Sequence, residues 1–235
     1  MHEPVRVKMI WLLLLGFVLV YLSPIAYRPM IVPDEVRYAE IPREMITTGD
    51  WVVPRLNGLP YFEKPVMGYW LNALAMLAFG ENAFALRFPS AVSAGLSAFM
   101  VGLLMLRATK NRTMALAAPL IFLTCLEVTA TGVFGVLDGM LSAFLTMAMT
   151  AFYFAVDSPR GSRREKGLLA IFGLCCGLAF LTKGFLAFAV PVVVVVPYMI
   201  WAGRWRDLFP MAVIPILAAT LVALPWAIAV HLKAP

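Results

Sequence analysis

The sequence predicts an all-α fold: a polytopic membrane protein with about seven transmembrane helices and a polar loop, carrying juxtamembrane helices, after the first of them. Composition is the first reason, because the chain is 62% hydrophobic and only 14% charged. The second reason is that several apolar runs approach or exceed the ~20 residues that a helix needs to cross a bilayer. A chain with so few polar residues cannot cover the surface of a soluble globule, so we expect an integral membrane protein.

The first predicted span covers residues 9–27 and follows Arg6 and Lys8. This run is longer than the hydrophobic core of a signal peptide, and no A-x-A-like cleavage site follows it. We therefore expect the segment to be retained as a transmembrane helix. Six further spans are predicted at residues 84–106, 113–134, 136–156, 167–181, 185–201 and 208–230.

The basic residues between these runs predict how the chain crosses the membrane. They form three clusters, whereas the turns near residues 132–135 and 182–184 contain only Lys183. With a cytoplasmic N-terminus, seven spans place every cluster in the cytoplasm, as the positive-inside rule requires. The clusters are Arg107, Lys110 and Arg112; Arg160, Arg163, Arg164 and Lys166; and Arg204 and Arg206. The clusters hold nine of the 19 basic residues of a chain whose net charge is +6, and they lie where the positive-inside rule places them, so we do not expect nucleic-acid binding.

The first loop, residues 28–83, is then predicted to face the periplasm and to contain two short helices. Residues 66–80 are apolar, but as a helix they would extend only about 22 Å, less than the ~30 Å hydrocarbon core. We expect an interfacial or re-entrant helix there, with Tyr69 and Trp70 at the level of the lipid headgroups.

The other short helix is predicted to begin with Asp34 as its N-cap and to end at Gly49. Tyr38, Ile41 and Met45 recur on one face of this helix, as in a surface-lying amphipathic helix. Pro42 lacks a backbone N–H in the middle of the segment, so we expect the helix to be kinked or split there.

Residues 33–70 hold a dense group of ionisable side chains beside these apolar runs. The group comprises Asp34, Glu35, Glu40, Glu44, Asp50 and Glu63 together with Arg37, Arg43, Arg55 and Lys64. The predicted topology adds Asp138 and Lys183 at the same membrane face. Charges near lipid are costly and usually face a cavity or a partner when they are kept. We therefore predict a single pocket at this face, where groups far apart in sequence meet.

Simpler roles remain open for many of these side chains. Asp34 and Asp138 can cap helices, and Lys183 and Arg87 can extend to the headgroups. Other charges are expected on a solvated helix face or in an exposed ion pair that contributes little to stability. These residues are Glu40, Arg43, Glu44, Asp50, Glu63 and Lys64.

Sugar transfer from a lipid phosphate suits this combination of acids and bases. Nucleotide-activated sugars are not expected outside the cytoplasm, so a transferase at this face would use a lipid-phosphate donor. Cations neutralise the departing phosphate, while a carboxylate orients the acceptor and stabilises positive charge on the sugar ring. The candidate cations are Lys64, Lys183 and Arg37, and aromatic side chains suited to sugar faces are Tyr38, Tyr61 and Trp51.

The stretches PDE-x-RYAEI and YFEKP-x-x-GYW resemble those of the bacterial aminoarabinose transferases. These enzymes belong to the polyprenyl-phosphate-dependent GT-C glycosyltransferases, which include the protein O-mannosyltransferases. The similarity continues through FGENAFALRFPSA, the Leu-Asp within residues 136–140, GLAFLTKGFLAFAVPV and LPWAIAV. It implies one transmembrane catalytic module over residues 1–235. It also implies transfer of 4-amino-4-deoxy-L-arabinose from undecaprenyl phosphate to lipid A phosphate at the periplasmic face of the inner membrane, which confers polymyxin resistance.

The resemblance also implies roles for individual residues. Asp34 corresponds to the catalytic carboxylate, Lys64 to a lysine that contacts the carrier phosphate, and Glu63 to a residue near a divalent metal ion. No other cofactor is expected. The residues implied in substrate binding are Glu35, Arg37, Tyr38, Arg55, Tyr61, Lys64, Tyr69, Asp138 and Lys183.

The sequence departs from the family pattern in two places. Pro42 stands where relatives usually have a small polar residue, and relatives continue with further spans and a C-terminal periplasmic domain. We expect the chain to be a fragment, a truncated product or one half of a split enzyme.

Three other functions remain open. The first is transfer of another lipid-linked sugar, as in protein O-mannosylation. The second is a transporter or flippase, which should show charges at the membrane midplane or helices broken in related halves; the charges here lie at span ends instead. The third is an inactive membrane scaffold.

Overall fold

The computed structural model describes residues 3–234, and their side chains from residue 10 onward. Apart from one two-stranded hairpin, the described secondary structure is helical, which confirms the predicted all-α class. The helices are α1 (Glu3–Phe17), α2 (Asp34–Thr48), α3 (Met67–Phe79), α4 (Ala83–Thr109), α5 (Arg112–Thr124), α6 (Leu126–Val133), α7 (Asp138–Val156), α8 (Arg163–Lys183), α9 (Leu186–Trp201) and α10 (Leu208–Lys233). The strands are β1 (Arg55–Leu56) and β2 (Leu59–Pro60).

Four of the described helices, α4, α7, α8 and α10, are long and apolar enough to cross a membrane. The helices α5 and α6 form a pair bent by 68° that counts as a fifth span if taken together. The predicted spans at residues 9–27 and 185–201 correspond to shorter apolar helices. A polytopic membrane protein is confirmed, and the number of seven spans stays a prediction.

The break between α5 and α6 lies at Cys125, whose backbone is extended. Near it, the Leu123 carbonyl accepts hydrogen bonds from the Tyr21 hydroxyl at 2.7 Å and the Thr129 hydroxyl at 3.0 Å. Backbone groups at membrane depth must be satisfied by protein because lipid offers no partner. The two hydroxyls therefore satisfy a backbone carbonyl that the break between α5 and α6 leaves without a helical partner.

The described chain divides into two compact units. Unit 1 comprises Met1–Gly49 and Tyr69–Ala143, and unit 2 comprises Asp50–Gly68 and Phe144–Pro235. The prediction of one catalytic module over residues 1–235 is not tested by this division and stays a prediction.

In unit 1, α5 and α6 run back along α4. A Cβ on Gly102 would lie 3.0 Å from the Ala115 carbonyl, and one on Gly132 would lie 3.0 Å from the Ala94 side chain. Farther along, the Ser90 hydroxyl of α4 donates to the Val136 carbonyl at 2.9 Å. Small residues thus let these helices approach closely, as at many helix contacts in membranes. The core of this unit is built from Tyr21, Ile25, Ala91 and Ala94.

In unit 2, α8 and α10 pack side by side in parallel. Gly173 and Gly177 form a small-residue stripe on α8; their Cβ atoms would meet the backbone of Pro215 at 2.3 Å and of Ala219 at 2.9 Å. This register, continued along both helices, brings the end of α8 at Lys183 level with the last turns of α10. The core here contains Phe152, Ala155, Leu169, Met199 and Met211.

Within each unit, a basic cluster and the candidate site residues lie at opposite ends of the long helices. Arg87 and Arg107 lie near opposite ends of α4, and Arg163 and Lys183 lie at opposite ends of α8. At 1.5 Å per residue, each pair is separated by ~30 Å, the thickness of a hydrocarbon core. This matches the predicted alternation within each unit, while the periplasmic orientation stays a prediction.

The α2 helix differs from the prediction at both Asp34 and Pro42. Asp34 is the first helical residue and Pro33 is the N-cap, and the helix continues through Pro42 without splitting. Pro42 has no N–H to donate to the carbonyl of Tyr38, and the Asn72 side chain donates to that carbonyl instead, at 3.4 Å. The predicted end is confirmed, since Gly49 has a φ of 71° and bonds the Met45 carbonyl.

The α3 helix confirms a short apolar helix within residues 66–80. Tyr69, however, is completely buried, with its ring centroid 6.2 Å from that of Tyr38. The Tyr69 side chain therefore packs inside unit 1 and does not contact lipid headgroups, while its level in the membrane stays a prediction. An interfacial or re-entrant position for α3 stays a prediction.

Candidate active site

Glu35 and Arg87 form a buried ion pair at the start of α2 in unit 1. Their side chains are 1% and 0% exposed, and the Arg87 Nε and Nη2 atoms donate to the two Glu35 oxygens at 2.7 Å each. The guanidinium also donates to the carbonyls of Ile25, Arg28 and Pro29 at 2.8, 2.8 and 2.9 Å. All five N–H groups of Arg87 are therefore used.

Glu35 is equally well satisfied. Besides Arg87, its carboxylate accepts from the backbone N–H of Ile31 and Gly135, at 2.8 Å each, and from Arg28 Nη2 at 3.0 Å. Burial raises the pKa of Glu35, but the hydrogen bonds from Arg87, Gly135 and Ile31 outweigh it and lower the pKa to about 2. The ion pair therefore ties the start of α2 to α4 and to the loop before α7.

This geometry changes the interpretation of both residues. The expectation that Arg87 reaches to the headgroups is wrong, because its side chain is enclosed in protein. The hydrogen bonds of Glu35 fit a positioning role, and the predicted contact between Glu35 and a substrate stays a prediction. The signal that could have identified Arg87 is its position inside an apolar run, where an ionisable side chain usually has a protein partner.

The Asp34 side chain is exposed, whereas that of its neighbour Glu35 is buried. Asp34 lies in the first turn of α2, its side chain is 54% exposed, and it accepts a hydrogen bond from Arg37 at 2.5 Å. The Arg37 guanidinium in turn lies 5.4 Å from the centre of the Tyr38 ring. Asp34 is thus held on a fixed backbone by the buried pair beneath it while its carboxylate remains accessible.

The two tyrosines predicted in unit 1 are enclosed. Tyr38 is 7% exposed and Tyr69 is 0% exposed, and Asn72, also fully buried, donates to the Tyr38 backbone. Their rings pack against each other where α2 contacts α3. Their predicted contacts with a sugar stay predictions.

Asp138 lies in the same part of unit 1 as Asp34. It is the first residue of α7 and follows Gly135 by three positions, and the N–H of Gly135 donates to Glu35. The start of α7 and the start of α2 are therefore joined through one carboxylate. Within unit 1, Asp34 and Asp138 therefore lie near each other along the chain contacts, while their convergence in a pocket stays a prediction.

In unit 2, a tight hairpin carries the second group of predicted residues. Asn57 and Gly58 both have positive φ, 54° and 79°, which is the conformation of the two-residue turn that Asn-Gly favours. Strand β1 pairs with β2, and Arg55 Nη1 donates to the Gly58 carbonyl at 3.3 Å, so the Arg55 side chain braces the turn.

Tyr61, Glu63 and Lys64 form a polar cluster directly after the hairpin. The Tyr61 hydroxyl donates to Glu63, and Lys64 Nζ lies 3.5 Å from Glu63 Oε1. Glu63 is 47% exposed and Lys64 is 28% exposed. Both side chains are therefore partly exposed to solvent, unlike those of the buried pair in unit 1.

The loop is attached to the last turns of α10. Trp226 Nε1 donates to the Val52 carbonyl at 2.9 Å, and Lys233 Nζ donates to Asp50 at 3.1 Å. Burial raises the pKa of Asp50, but hydrogen bonds from Val52 and Lys233 lower it below its usual value. Because α8 ends level with this part of α10, Lys183 lies at the same end of unit 2 as the loop.

The described residues do not fit a divalent metal ion at Glu63. No group of three or more His, Cys, Asp or Glu side chains is found among them, and the ammonium of Lys64 lies beside the one carboxylate available. A hard cation requires several oxygen ligands. The metal ion at Glu63 stays a prediction.

The predicted residues thus fall into two groups. Unit 1 holds Asp34, Glu35, Arg37, Tyr38, Tyr69 and Asp138, and unit 2 holds Arg55, Tyr61, Glu63, Lys64 and Lys183. Their convergence in one pocket stays a prediction. Sequence reasoning missed the supporting roles of Arg87, Asn72 and Trp226, because each of them acts through a partner that is distant in sequence.

Comparison with curated proteins confirms the resemblance found in the sequence. The chain is 49% identical over 225 residues to a protein of Aeromonas hydrophila, covering 96% of this chain and 41% of that protein. It is 44% identical over 218 residues to a protein of Enterobacter sp. (strain 638), covering 93% of this chain and 39% of that one. Both relatives are named undecaprenyl phosphate-alpha-4-amino-4-deoxy-L-arabinose arabinosyl transferase. The chain spans about two fifths of their length.

Comparison with solved structures gives the same fold. The crystal structure of ArnT from Cupriavidus metallidurans in the apo state matches with a TM-score of 0.89 and 27% identity, covering 98% of this chain and 43% of that one. Its structure bound to undecaprenyl phosphate matches with a TM-score of 0.87 and 27% identity, over 97% and 42% of the two chains. The profile of the dolichyl-phosphate-mannose-protein mannosyltransferases matches residues 7–235, nearly the whole sequence. The chain therefore belongs to the dolichyl-phosphate-mannose-protein mannosyltransferase family.

Proposed function

We propose that this protein is a glycosyltransferase that moves 4-amino-4-deoxy-L-arabinose from undecaprenyl phosphate to a lipid A phosphate. It acts at the periplasmic face of the bacterial inner membrane and makes the cell resistant to polymyxin and other cationic antimicrobial peptides. The observation that carries the proposal is the 49% identity, over 96% of the chain, to a relative named for this transfer. The similar ArnT structure bound to undecaprenyl phosphate supports the donor.

In this reaction, the bond between the anomeric carbon and the phosphate oxygen of the donor breaks. A new bond forms between that carbon and an oxygen of the lipid A phosphate, and undecaprenyl phosphate leaves. Lys64 and Lys183, at one end of unit 2, supply positive charge for the departing phosphate. Fixed charges of this kind stabilise the transition state because they need no reorganisation during the reaction.

Asp34 acts on the sugar rather than as a strong base. A phosphomonoester has a second pKa of about 6, so the acceptor phosphate is already largely anionic near neutral pH. The transition state of glycosyl transfer carries positive charge on the ring, which a carboxylate stabilises. The exposed Asp34 carboxylate, positioned by the Glu35–Arg87 pair, suits that role.

A second candidate is transfer of another lipid-linked sugar to protein. The observation that favours it is the description of the matching family, whose members are named protein mannosyltransferases. The two candidates share the lipid-phosphate donor class and differ in the sugar and the acceptor, so the products distinguish them.

The test is the mass of lipid A from the native host with and without the gene. Deletion should remove the pentosamine from lipid A, and the wild-type gene should restore it. Asp34→Asn should fail to restore it, whereas Asp157→Asn, an exposed residue of unit 2 just after the end of α7, should succeed. Unchanged lipid A after deletion would contradict the proposal, and loss of protein O-mannosylation instead would support the second candidate.

A further inference from the structure

An apolar groove lies in unit 2 among α7, α8, α9 and α10. Its volume is about 410 Å³, which falls within the range of small-molecule pockets, and every side chain that lines it is apolar or a cysteine. Three lining residues remain exposed at its rim: Val192 at 58%, Ile216 at 62% and Phe209 at 81%. The groove is therefore open at the side of the helices.

One end of the groove meets a polar mouth lined by arginines. Met199 lines the groove, and its carbonyl accepts from the Arg204 N–H at 2.8 Å. Asp207 lines the mouth and is followed directly by Leu208, which lines the groove. The mouth comprises Ser158, Arg160, Gly203, Arg204, Arg206 and Asp207.

The mouth carries net positive charge. Asp207 is 7% exposed and pairs with Arg160 at 2.5 Å and with Arg204 at 3.1 Å. Arg206 stands over the Trp205 ring, 5.2 Å from its centre. The mouth thus contains three guanidinium groups and one carboxylate, and the carboxylate pairs with only two of them, which favours an anionic ligand.

The length of the groove matches one leaflet of a membrane. Along α10 it extends from Leu208 to Ala219, which at 1.5 Å per residue is about 16 Å. That is roughly half of the ~30 Å hydrocarbon core. An acyl chain of a single leaflet therefore fits the groove with its headgroup at the arginines.

We propose that this groove and mouth bind an anionic phospholipid of the adjacent leaflet, its phosphate at Arg160 and Arg206 and one acyl chain along α10. In the orientation proposed above, this is the cytoplasmic leaflet. The site lies at the opposite end of α8 from Lys183, so it is separate from the proposed transfer site and does not depend on the transfer reaction.

The test is lipid titration of the purified full-length protein, followed by native mass spectrometry. Phosphatidylglycerol and phosphatidylcholine with identical acyl chains are compared, and phosphatidylglycerol should bind more tightly. Arg206→Gln should weaken phosphatidylglycerol binding about fivefold, as expected for one basic residue near a lipid surface, and Arg206→Lys should preserve it. Arg107→Gln, in the basic cluster of unit 1, is the matched control and should change nothing at this site.

Filling the groove tests the acyl chain separately. Ala212→Phe places a ring among the lining residues and should weaken both lipids, whereas Val213→Phe, on the neighbouring exposed position, should not. Equal binding of the two lipids by the wild-type protein would overturn the proposal without any variant. Unchanged lipid binding by Ala212→Phe would also overturn the proposal. The same holds if a second copy of the chain or a protein segment occupies the groove in place of lipid.

Discussion

The buried ion pair of unit 1 and the exposed ion pair of unit 2 show two different uses of charge in one membrane protein. Glu35 and Arg87 are at most 1% exposed and have no unused hydrogen-bonding group facing outward. Glu63 and Lys64 are 47% and 28% exposed and lie 3.5 Å apart. The first pair fixes the backbone around it, and the second leaves both side chains partly exposed to solvent. Residue type alone does not distinguish them, since both pairs join a Glu to a cation.

Breaking the buried pair should have the largest effect on stability. Arg87→Met leaves the Glu35 carboxylate buried without its main partner, and we expect the free energy of unfolding to fall by about 3–5 kcal/mol. Arg43→Met removes an exposed pair with Glu40 and should cost less than about 1 kcal/mol. Thermal unfolding of both variants in detergent measures the difference, and equal losses would contradict the assignment.

The buried pair should also show in the pH dependence of unfolding. The pKa of Glu35 is about 2 in the folded protein, against an ordinary value of 4.5, so its contribution is complete above pH ~5 and is lost as pH falls toward 2. The shift corresponds to about 3 kcal/mol at most. Glu35→Gln should therefore be less stable than wild type at neutral pH, and the gap should narrow on acidification. A gap that stays constant down to pH 2 would mean that the Glu35 charge contributes nothing.

Breaking the exposed Glu63–Lys64 pair should lower the affinity for the donor lipid rather than the free energy of unfolding. Lys64→Met should leave the free energy of unfolding within about 1 kcal/mol. Loss of a charge-assisted hydrogen bond of about 1.5–3 kcal/mol should weaken binding of undecaprenyl phosphate roughly 10- to 100-fold. Lys166→Met, at the opposite end of unit 2, is the matched control. Titration of both variants with undecaprenyl phosphate measures their affinities. If Lys64→Met and Lys166→Met bind equally tightly, Lys64 takes no part in donor binding.

The attachment of the loop to α10 should give the smallest effect. Trp226→Phe removes the hydrogen bond to the Val52 carbonyl and should cost about 0.5–1.5 kcal/mol of unfolding free energy. Trp201→Phe, at a position 85% exposed, should be nearly neutral. Protease cleavage within Asp50–Gly68 should accelerate in the first variant alone. Equal cleavage in both would show that this bond does not hold the loop.

The sequence predicted the helices well because hydrophobic runs and their basic boundaries are local features. The long helices α4, α7, α8 and α10 appear where apolar runs were found. Pro42 was misjudged because the residue that compensates for it, Asn72, is distant in sequence and belongs to another helix. The bend at Cys125 was missed for the same reason, since the nearby Leu123 carbonyl accepts a hydrogen bond from the Tyr21 hydroxyl, which is distant in sequence.

The sequence predicted which residues belong to the candidate site, and that membership stays a prediction. The density of charge in residues 33–70 singled out the segment, yet it could not separate Asp34, which is exposed, from Glu35, which is buried. Arg87, contributed by α4, is the main buried partner of Glu35, whereas Asp34 remains exposed, and this difference depends on contacts between residues distant in sequence. Likewise, nothing in the sequence around Arg206 distinguishes a lipid-binding mouth from an ordinary basic cluster.

We propose that the two neighbouring carboxylates have different roles. Asp34 acts on the substrate, and Glu35 holds Asp34 in place. The most direct measurement takes purified Asp34→Asn and compares its transfer rate and its unfolding free energy with those of wild type. We predict that transfer falls at least ~100-fold, as for loss of a catalytic carboxylate, while stability changes by less than about 1 kcal/mol. Wild-type transfer in this variant, or a loss of transfer matched by a loss of folding, would contradict the account.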